Sequence, residues 1–282
     1  MKRQNLGDLW CRFFILALLY SPAASTAQTP AKLSHKTEQQ IFLMGEIHDN
    51  LHGHQLRHKH LMQLVDQGLK PVVAMEQFDR DKQNLLDLAF KQCTDVDCVL
   101  AKAATPGWDW QFYRPIVQLA LDKKVKLLAA NLSTVDVQKV MDRGFSAVFS
   151  PQAINAYKLH QIPPALQSDQ NKAIQEGHCN MLPDQAIGPM VQGQIGRDVW
   201  MVSVINDLQD PVVVLIAGNG HVRKDAGIFQ WLSKDRQLKT QVRGYVERLY
   251  SSDAHWFDQT HIVPTVERED PCLAFASSSA NK

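Results

Sequence analysis

Histidine is the residue type in this sequence that most clearly suggests chemistry. Five of the 11 histidines lie within residues 48–60, and His48 has Glu46 and Asp49 close beside it. A carboxylate near an imidazole can fix its tautomer and raise its basicity. We therefore predict that His48 binds a metal ion or a haem iron, or acts as a general base. His54 is a second candidate, although its place on the apolar face of a predicted helix also suits a hydrogen-bonded core residue.

Two further histidines lie close after glycines, which permit tight turns. His221 ends a Gly-Asn-Gly-His motif that follows an apolar run, residues 212–217. The motif lacks the third glycine of a dinucleotide-binding loop and the Lys-Ser/Thr pair of a phosphate loop. We predict instead that this turn directs His221 into a cleft. His178 lies between Gly177 and Cys179, and two interpretations stay open for it: an iron ligand, or part of a turn anchored by a disulfide.

Aromatic and arginine side chains could complete a site for a flat, anionic ligand. Residues 108–113 contain two tryptophans, one phenylalanine and Tyr113. Aromatic residues at this density either pack a helix start into the core or form a wall for such a ligand. Tyr113 and Tyr157 are candidate oxygen ligands. Arg197 and Arg223 could each bind a carboxylate, such as a haem propionate, or form structural ion pairs.

Carboxylates give the same residues a second potential chemistry. The His-Glu-x-x-His signature of zinc proteases and the Gly-x-Ser-x-Gly signature of serine hydrolases are both missing from the sequence. Glu46, His48, Glu76 and His221 could still bind a divalent transition metal and activate water. A metal-dependent hydrolase is therefore the alternative to a non-enzymatic, haem-binding protein.

Apolar segments and helical patterns alternate along the chain. We predict strands at residues 41–46, 71–77, 126–131, 212–217 and 241–250. We predict helices at residues 50–67, 80–90, 112–123, 151–160 and 184–208. This alternation indicates an α/β fold with a mixed, largely parallel sheet flanked by helices, and a helical cap region at residues 178–196. Because ligands of such sheets bind where strands end, we expect Glu46, Glu76 and His221 to converge.

Composition and charge place the chain among globular proteins. Of its 282 residues, 45% are hydrophobic and 21% are charged, and the formal net charge is +1. This balance argues against a dedicated nucleic-acid binder, which needs a clustered basic excess. We divide the chain into a signal peptide, an exposed lead-in, one α/β domain and a C-terminal tail, at residues 1–27, 28–40, 41–270 and 271–282.

The first 27 residues have the pattern of a secretion signal. A positively charged start precedes an apolar run at residues 13–20, which is too short to span a membrane, and small residues surround the expected cleavage site after Ala27. Cys11 precedes the apolar run, so it does not have the position of a lipid-anchor cysteine. We predict an exported protein, in the periplasm or associated with the outer membrane, that is soluble rather than lipid-anchored.

Export implies an oxidising compartment, in which the four cysteines after the signal could form two disulfides. The short segment between Cys93 and Cys98 favours their pairing. That pairing would leave Cys179 with Cys272. Cys179 could also remain a free functional thiol, and a zinc site fits the cysteine spacing poorly.

Short motifs recur in order from about residue 41 to residue 232. They are GEIHDN from Gly45, MEQFD from Met75, GWDW from Gly107, ANL from Ala130, HC at His178, RD at Arg197 and AGNGHVR from Ala217. This ordered set resembles the ChaN-type haem-binding proteins of bacterial iron uptake.

The resemblance implies a mixed α/β fold, extracytoplasmic placement and haem as the cofactor. It also implies a homodimer that pairs two haems, and an outer-membrane haem receptor or transporter as a partner. His48, His178 and His221 are then the candidate iron ligands, with His54, Tyr113, Arg197 and Arg223 in the surrounding site. The Gly-Glu-x-His core is also similar to that of erythromycin esterases and Tiki-type proteases, which keeps hydrolysis as the alternative.

Overall fold

A six-stranded sheet forms the centre of the computed structural model, which describes residues 39–270 and 272–273. The strands are β1 (Gln40–Met44), β2 (Val72–Asp79), β3 (Lys126–Asn131), β4 (Val212–Ile216), β5 (Thr240–Val246) and β6 (Gln259–Ile262). Their order is β3-β2-β4-β1-β5-β6, and every neighbouring pair is parallel. The α/β class is therefore confirmed. β6 was not predicted, and β5 ends four residues before the predicted boundary.

Helices lie between the strands and cover the sheet. In the described part of the chain they are α1 (Leu51–Asp66), α2 (Gln83–Gln92), α3 (Val96–Ala103), α4 (Arg114–Lys123), α5 (Thr134–Arg143), α6 (Pro151–Ala156), α7 (Pro164–Gly177), α8 (Asp184–Asn206), α9 (Asn219–Val222) and α10 (Lys234–Leu238). The predicted helical segments correspond to α1, α2, α4, α6 and α8. The other five helices are shorter or more polar than the patterns used for prediction.

Side chains alternate across each strand and so build a separate core on each face of the sheet. On β1, Phe42 and Met44 join a cluster formed with α1, α2 and α4. Ile41 and Leu43 face the opposite way and pack with Met201 and other residues in the second half of α8. Both faces are buried, as expected for a parallel sheet.

A third cluster lies beside the sheet and accounts for the predicted cap region. It joins Val140 of α5 and Leu159 to Val191 and Ile195 in the first half of α8. Because α8 continues into the second cluster, one helix belongs both to this cap and to the cover of the sheet. Residues 178–183 form the turn that leads into it.

Two disulfides are formed, Cys93–Cys98 and Cys179–Cys272. The favoured pairing is thus confirmed, and Cys179 is not a free thiol. The predicted signal peptide, the lead-in up to residue 38 and the tail apart from residues 272–273 lie outside the described residues. None of the helices described is long and apolar enough to cross a membrane.

Candidate functional site

The carboxyl ends of three neighbouring strands bring the candidate residues together. β1 lies beside β4, and β4 lies beside β2, so the residues that follow these strands share one edge. Gly45 permits the close approach, because a Cβ atom there would lie 2.1 Å from Oδ1 of Asn219. The backbone N–H of Asn219 in turn donates to the carbonyl of Glu46. Local sequence and strand order therefore fix the His221 turn against the His48 turn.

Glu46 is the centre of the first cluster. Its buried Oε1 accepts hydrogen bonds from Nδ1 of His48 at 2.7 Å, from Gln77 at 3.0 Å and from the hydroxyl of Tyr113 at 2.6 Å. Its Oε2 pairs with the buried guanidinium of Arg57. A side chain that only accepts hydrogen bonds here is an ionised carboxylate. Glu46 therefore fixes the orientation of every side chain that donates to it.

His48 is held as a neutral imidazole with one nitrogen engaged. Its Nδ1 hydrogen bonds to Glu46, which leaves Nε2 as the lone-pair atom. Burial lowers its pKa, and His221 adds to that effect while Glu76 opposes it. The side chain is nevertheless 48% exposed, and its ring meets the edge of Trp108 at 5.0 Å between centroids. His48 is accordingly reachable from solvent and able to bind a metal centre or accept a proton.

His221 has the opposite protonation state. Its Nδ1 lies 2.5 Å from Oδ1 of Asp198, and its Nε2 lies 3.4 Å from Oε1 of Glu76. Burial alone would lower its pKa, but these two carboxylates raise it to about 10. Glu76 also accepts the backbone N–H of Gly218 at 2.8 Å, and a Cβ atom on Gly218 would lie 3.1 Å from the His48 ring. Glu76 and Gly218 thus lie between the protonated ring of His221 and the neutral ring of His48.

His54 and Tyr113 support the first cluster from behind. Nε2 of His54 donates to the carbonyl of His48 at 2.9 Å, and its Nδ1 accepts from Arg57 at 2.8 Å. The His54 ring also stacks on Phe112. Tyr113 is buried, and burial raises its pKa well above the ordinary value. Both side chains therefore position Glu46 and His48 in this structure, and neither presents a free donor atom to the cleft.

The remaining predicted residues lie farther from Glu46. His178 is in the turn between α7 and α8, where Nδ1 donates to the carbonyl of Ile174 at 2.7 Å. Arg197 donates to Oδ1 of Asn131, the last residue of β3, at 2.5 Å. Arg223 pairs with Asp225 and lies 3.7 Å from the ring centroid of Trp256. The hydroxyl of Tyr157 hydrogen bonds to Asn206.

Arg57 and Asp198 are essential parts of these clusters that the sequence reasoning missed. Arg57 is fully buried three residues after His54 on α1. Asp198 lies on the buried stripe of α8 with Ile195 and Val202. That stripe was the available signal, because a carboxylate at an apolar position of a helix needs a buried partner.

The arrangement supports two kinds of chemistry. A half-exposed neutral imidazole backed by a carboxylate is the donor set of an axial haem ligand and also of a general base. Among the described residues, no group of three or more His, Cys, Asp or Glu side chains has the arrangement of a metal-ion site.

Comparison with known proteins gives a family match and several structural neighbours. A family profile described as haem-binding uptake, Tiki superfamily, ChaN, matches residues 33–232. No curated protein matches the chain significantly. A structure described as cofacial haem binding to ChaN of Campylobacter jejuni has a TM-score of 0.59 at 20% identity, covering 76% of this chain and 83% of its own.

Two other solved structures are more distant. An erythromycin esterase, EreC, in its open conformation has a TM-score of 0.45 at 11% identity and covers 74% of this chain and 70% of its own. The type III effector HopBA1 has a TM-score of 0.43 at 11% identity and covers 80% and 88%. At these identities the Campylobacter jejuni structure shows a shared fold alone, and the other two carry no further weight.

Proposed function

Because this chain belongs to the ChaN family of haem-binding uptake proteins within the Tiki superfamily, we propose that it binds haem and takes part in haem or iron acquisition. The family match over most of the chain is the observation that carries this proposal. The cleft at the strand ends supplies residues whose chemistry fits the group. Bound haem would offer an iron centre for an axial ligand and two propionates for cationic side chains.

His48 is the favoured iron ligand among the three candidate histidines. Glu46 holds Nδ1 of His48, so the Nε2 lone pair is available from a half-exposed ring. His221 is protonated between two carboxylates, and a protonated imidazole has no lone pair to donate. His178 is the second choice, because the hydrogen bond from its Nδ1 to the carbonyl of Ile174 fixes the orientation of the ring.

Other side chains near His48 are suited to contact the porphyrin ring and its propionates. Trp108 lies beside His48 and offers an apolar edge. Arg197 is the better propionate partner of the two arginines, because it donates to the neutral oxygens of Asn131 and Leu132. Arg223 is already paired with Asp225. We expect His54 and Tyr113 to act through the orientation of Glu46 and His48.

We further propose an exported protein, in the periplasm or at the outer membrane, without a lipid anchor. The two disulfides support an oxidising compartment. ChaN of Campylobacter jejuni is described as binding haem cofacially, and a homodimer that pairs two haems would reproduce that arrangement here. An outer-membrane haem receptor or transporter is the partner we infer.

A hemin titration followed by absorption spectroscopy tests the proposal. Wild-type protein is expected to give a saturable shift of the Soret band. His48→Ala should change the spectrum and weaken binding by at least about tenfold, because loss of an axial ligand removes more than 1.4 kcal/mol. His52→Ala is the matched control, since His52 is an exposed histidine at the start of α1, four residues after His48. Unchanged titrations for both His48→Ala and His178→Ala would rule out this ligand assignment.

Hydrolysis is the second candidate function, and the position of Glu76 favours it. Glu76 lies between His221 and His48, so neutral His48 could accept a proton from water while protonated His221 faces the same carboxylate. This function predicts turnover of ester or peptide substrates that Glu46→Gln abolishes. A requirement for a divalent metal would appear as inhibition by a chelator. Protein that binds hemin but hydrolyses none of these substrates would eliminate this candidate.

A further inference from the structure

A cavity lies at the end of the sheet opposite His48. It has a volume of about 960 Å³ and opens where β1 and β5 begin. The start of β1, the start of β5 and one face of α1 form its walls. The residues used below are Gln40, Phe42, His60, Gln63, Gln67 and Arg243.

Arg243 is the charged group in this cavity that has donors to spare. Its guanidinium lies 4.8 Å from the ring centroid of Phe42, its Nε donates to Gln241 at 2.7 Å, and it also contacts the hydroxyl of Tyr245. No carboxylate of the described residues is within ion-pair distance of Arg243. Arginine has five N–H donors, so these contacts use only some of the donors of a residue that lines the cavity. A half-buried cation of this kind normally has an anionic partner.

Two imidazoles lie beside Arg243 and offer no negative charge to balance it. Nδ1 of His60 hydrogen bonds to Tyr245 at 2.7 Å, and the rings of His60 and His261 are 4.6 Å apart. Burial lowers the pKa of His60 to about 4, with further lowering by His261, Arg243 and Lys59. Burial and Arg243 also lower the pKa of His261, whose buried Nε2 has no hydrogen-bond partner in the described part of the chain. These two rings are neutral at pH 7 mainly because burial disfavours their charged form, and the positive charge of Arg243 adds to that effect.

The other walls restrict the charge and the polarity of a ligand. Gln40, Gln63 and Gln67 present amides with no side-chain partner in the described residues, which suits hydroxyl or amide groups. Asp235 and Asp258 also line the cavity and oppose a dianion. Lys239 lines it too, but Lys239 is not free. Arg243 is therefore the cation that this lining offers to an anionic ligand, and the two aspartates favour a ligand with a single negative charge.

We propose that this cavity binds a small polar molecule carrying one carboxylate, with the carboxylate on Arg243 and the polar body against the glutamine amides of β1 and α1. A volume of about 960 Å³ is ample for a metabolite-sized ligand. This cavity is separate from the proposed haem site, because it lies at the opposite end of the strands.

Calorimetric titration of the whole protein with sodium gluconate, acetate, sorbitol and inorganic phosphate tests the proposal. Gluconate should bind saturably, acetate more weakly, and sorbitol, which lacks the carboxylate, not at all. Arg243→Gln should weaken gluconate binding at least tenfold. Gln63→Glu should do the same by repulsion, and it changes only an exposed helical residue. Arg248→Gln is the matched control, since Arg248 is exposed beyond the end of β5.

Hemin titration of the same variants separates this site from the haem site. The affinity for hemin should be equal in wild type, Arg243→Gln and Gln63→Glu, which also shows that the variants are folded. The proposal is overturned if neither carboxylate binds saturably, if sorbitol binds as well as gluconate, or if phosphate binds more tightly than both acids. Equal gluconate affinity in wild type and in both variants would overturn it as well.

Discussion

Two histidines that lie at the same edge of the sheet differ in what surrounds each ring. His48 has one carboxylate on Nδ1 and a half-exposed ring, whereas His221 is buried between Asp198 and Glu76. The first arrangement leaves a lone pair available, and the second stabilises a proton. Residue type alone did not distinguish these roles, because the partners of His221 are 23 and 145 positions away in the sequence.

The buried imidazolium makes stability depend on pH in the alkaline range. The pKa of His221 is raised from 6.5 to about 10 on folding. A raised pKa contributes stability that is complete below the unfolded value and is lost as the pH rises towards the folded value. We therefore expect the free energy of unfolding to fall by about 2–4 kcal/mol between pH 7 and pH 9.5.

Urea denaturation across this range measures that loss. His221→Gln should show a flatter dependence than wild type, because the residue that titrates is gone. His255→Gln, which changes an exposed histidine, should keep the wild-type dependence. Parallel curves for wild type and His221→Gln would show that His221 carries no proton in the folded protein.

At the scale of elements, one asparagine joins the start of α1 to the segment after β6. Asn50 is fully buried, and its Oδ1 accepts the N–H of Gly53 as the N-cap of α1. Its Nδ2 donates to Glu247 and to the carbonyl of Pro264. Arg268 then connects Asp49 to Glu247. The turn that carries His48 is thus held from both sides.

Asn50→Ala should be much more destabilising than loss of an ordinary cap. We expect a loss of about 2–4 kcal/mol, because a helix cap and two further buried hydrogen bonds disappear together. Ser150→Ala removes a cap of α6 that only accepts the N–H of Ala153, so about 1 kcal/mol is expected. Both values follow from urea denaturation at pH 7. Equal losses for the two variants would contradict the role assigned to Asn50.

Several elements could be predicted from the sequence, and the reasons for success and failure are physical. β4 is an unbroken apolar run that ends at the Gly-Asn-Gly-His turn, so both the strand and its end could be predicted. β6 was missed because its four residues, at the edge of the sheet, are exposed or half-buried and show no apolar pattern. α7 was missed because it is mostly polar and packs beside α8, away from the sheet.

The residues of the site could also be predicted only in part. The rule that strand ends converge in a parallel sheet placed Glu46, Glu76 and His221 correctly. It could not reveal that Arg57 and Asp198 hold them, since both lie inside helices and their partners come from other elements. Tyr113 was expected in the cleft, but its hydroxyl donates to Glu46 from a buried position.

At the scale of the whole molecule, the two disulfides close loops of very different length. Cys93 and Cys98 are 5 residues apart, whereas Cys179 and Cys272 are 93 apart and join the turn before α8 to the segment that follows β6. A cross-link restricts the unfolded chain more when the loop is longer. The second disulfide is therefore the more important for stability.

Serine variants of each pair measure this difference. We expect replacement of both Cys179 and Cys272 to lower the free energy of unfolding by about 4–5 kcal/mol, and replacement of Cys93 and Cys98 to lower it by about 2 kcal/mol. Denaturation in urea under non-reducing conditions gives both values. A larger loss for the Cys93–Cys98 pair would contradict the loop-length explanation.

We propose that the protein carries a haem in its own host, bound where β1, β2 and β4 end. The most direct measurement is an absorption spectrum with elemental analysis of the protein purified from its own host. We predict a Soret band and about one iron atom per polypeptide chain. A stoichiometric transition metal with no Soret band would contradict the claim and favour the hydrolase.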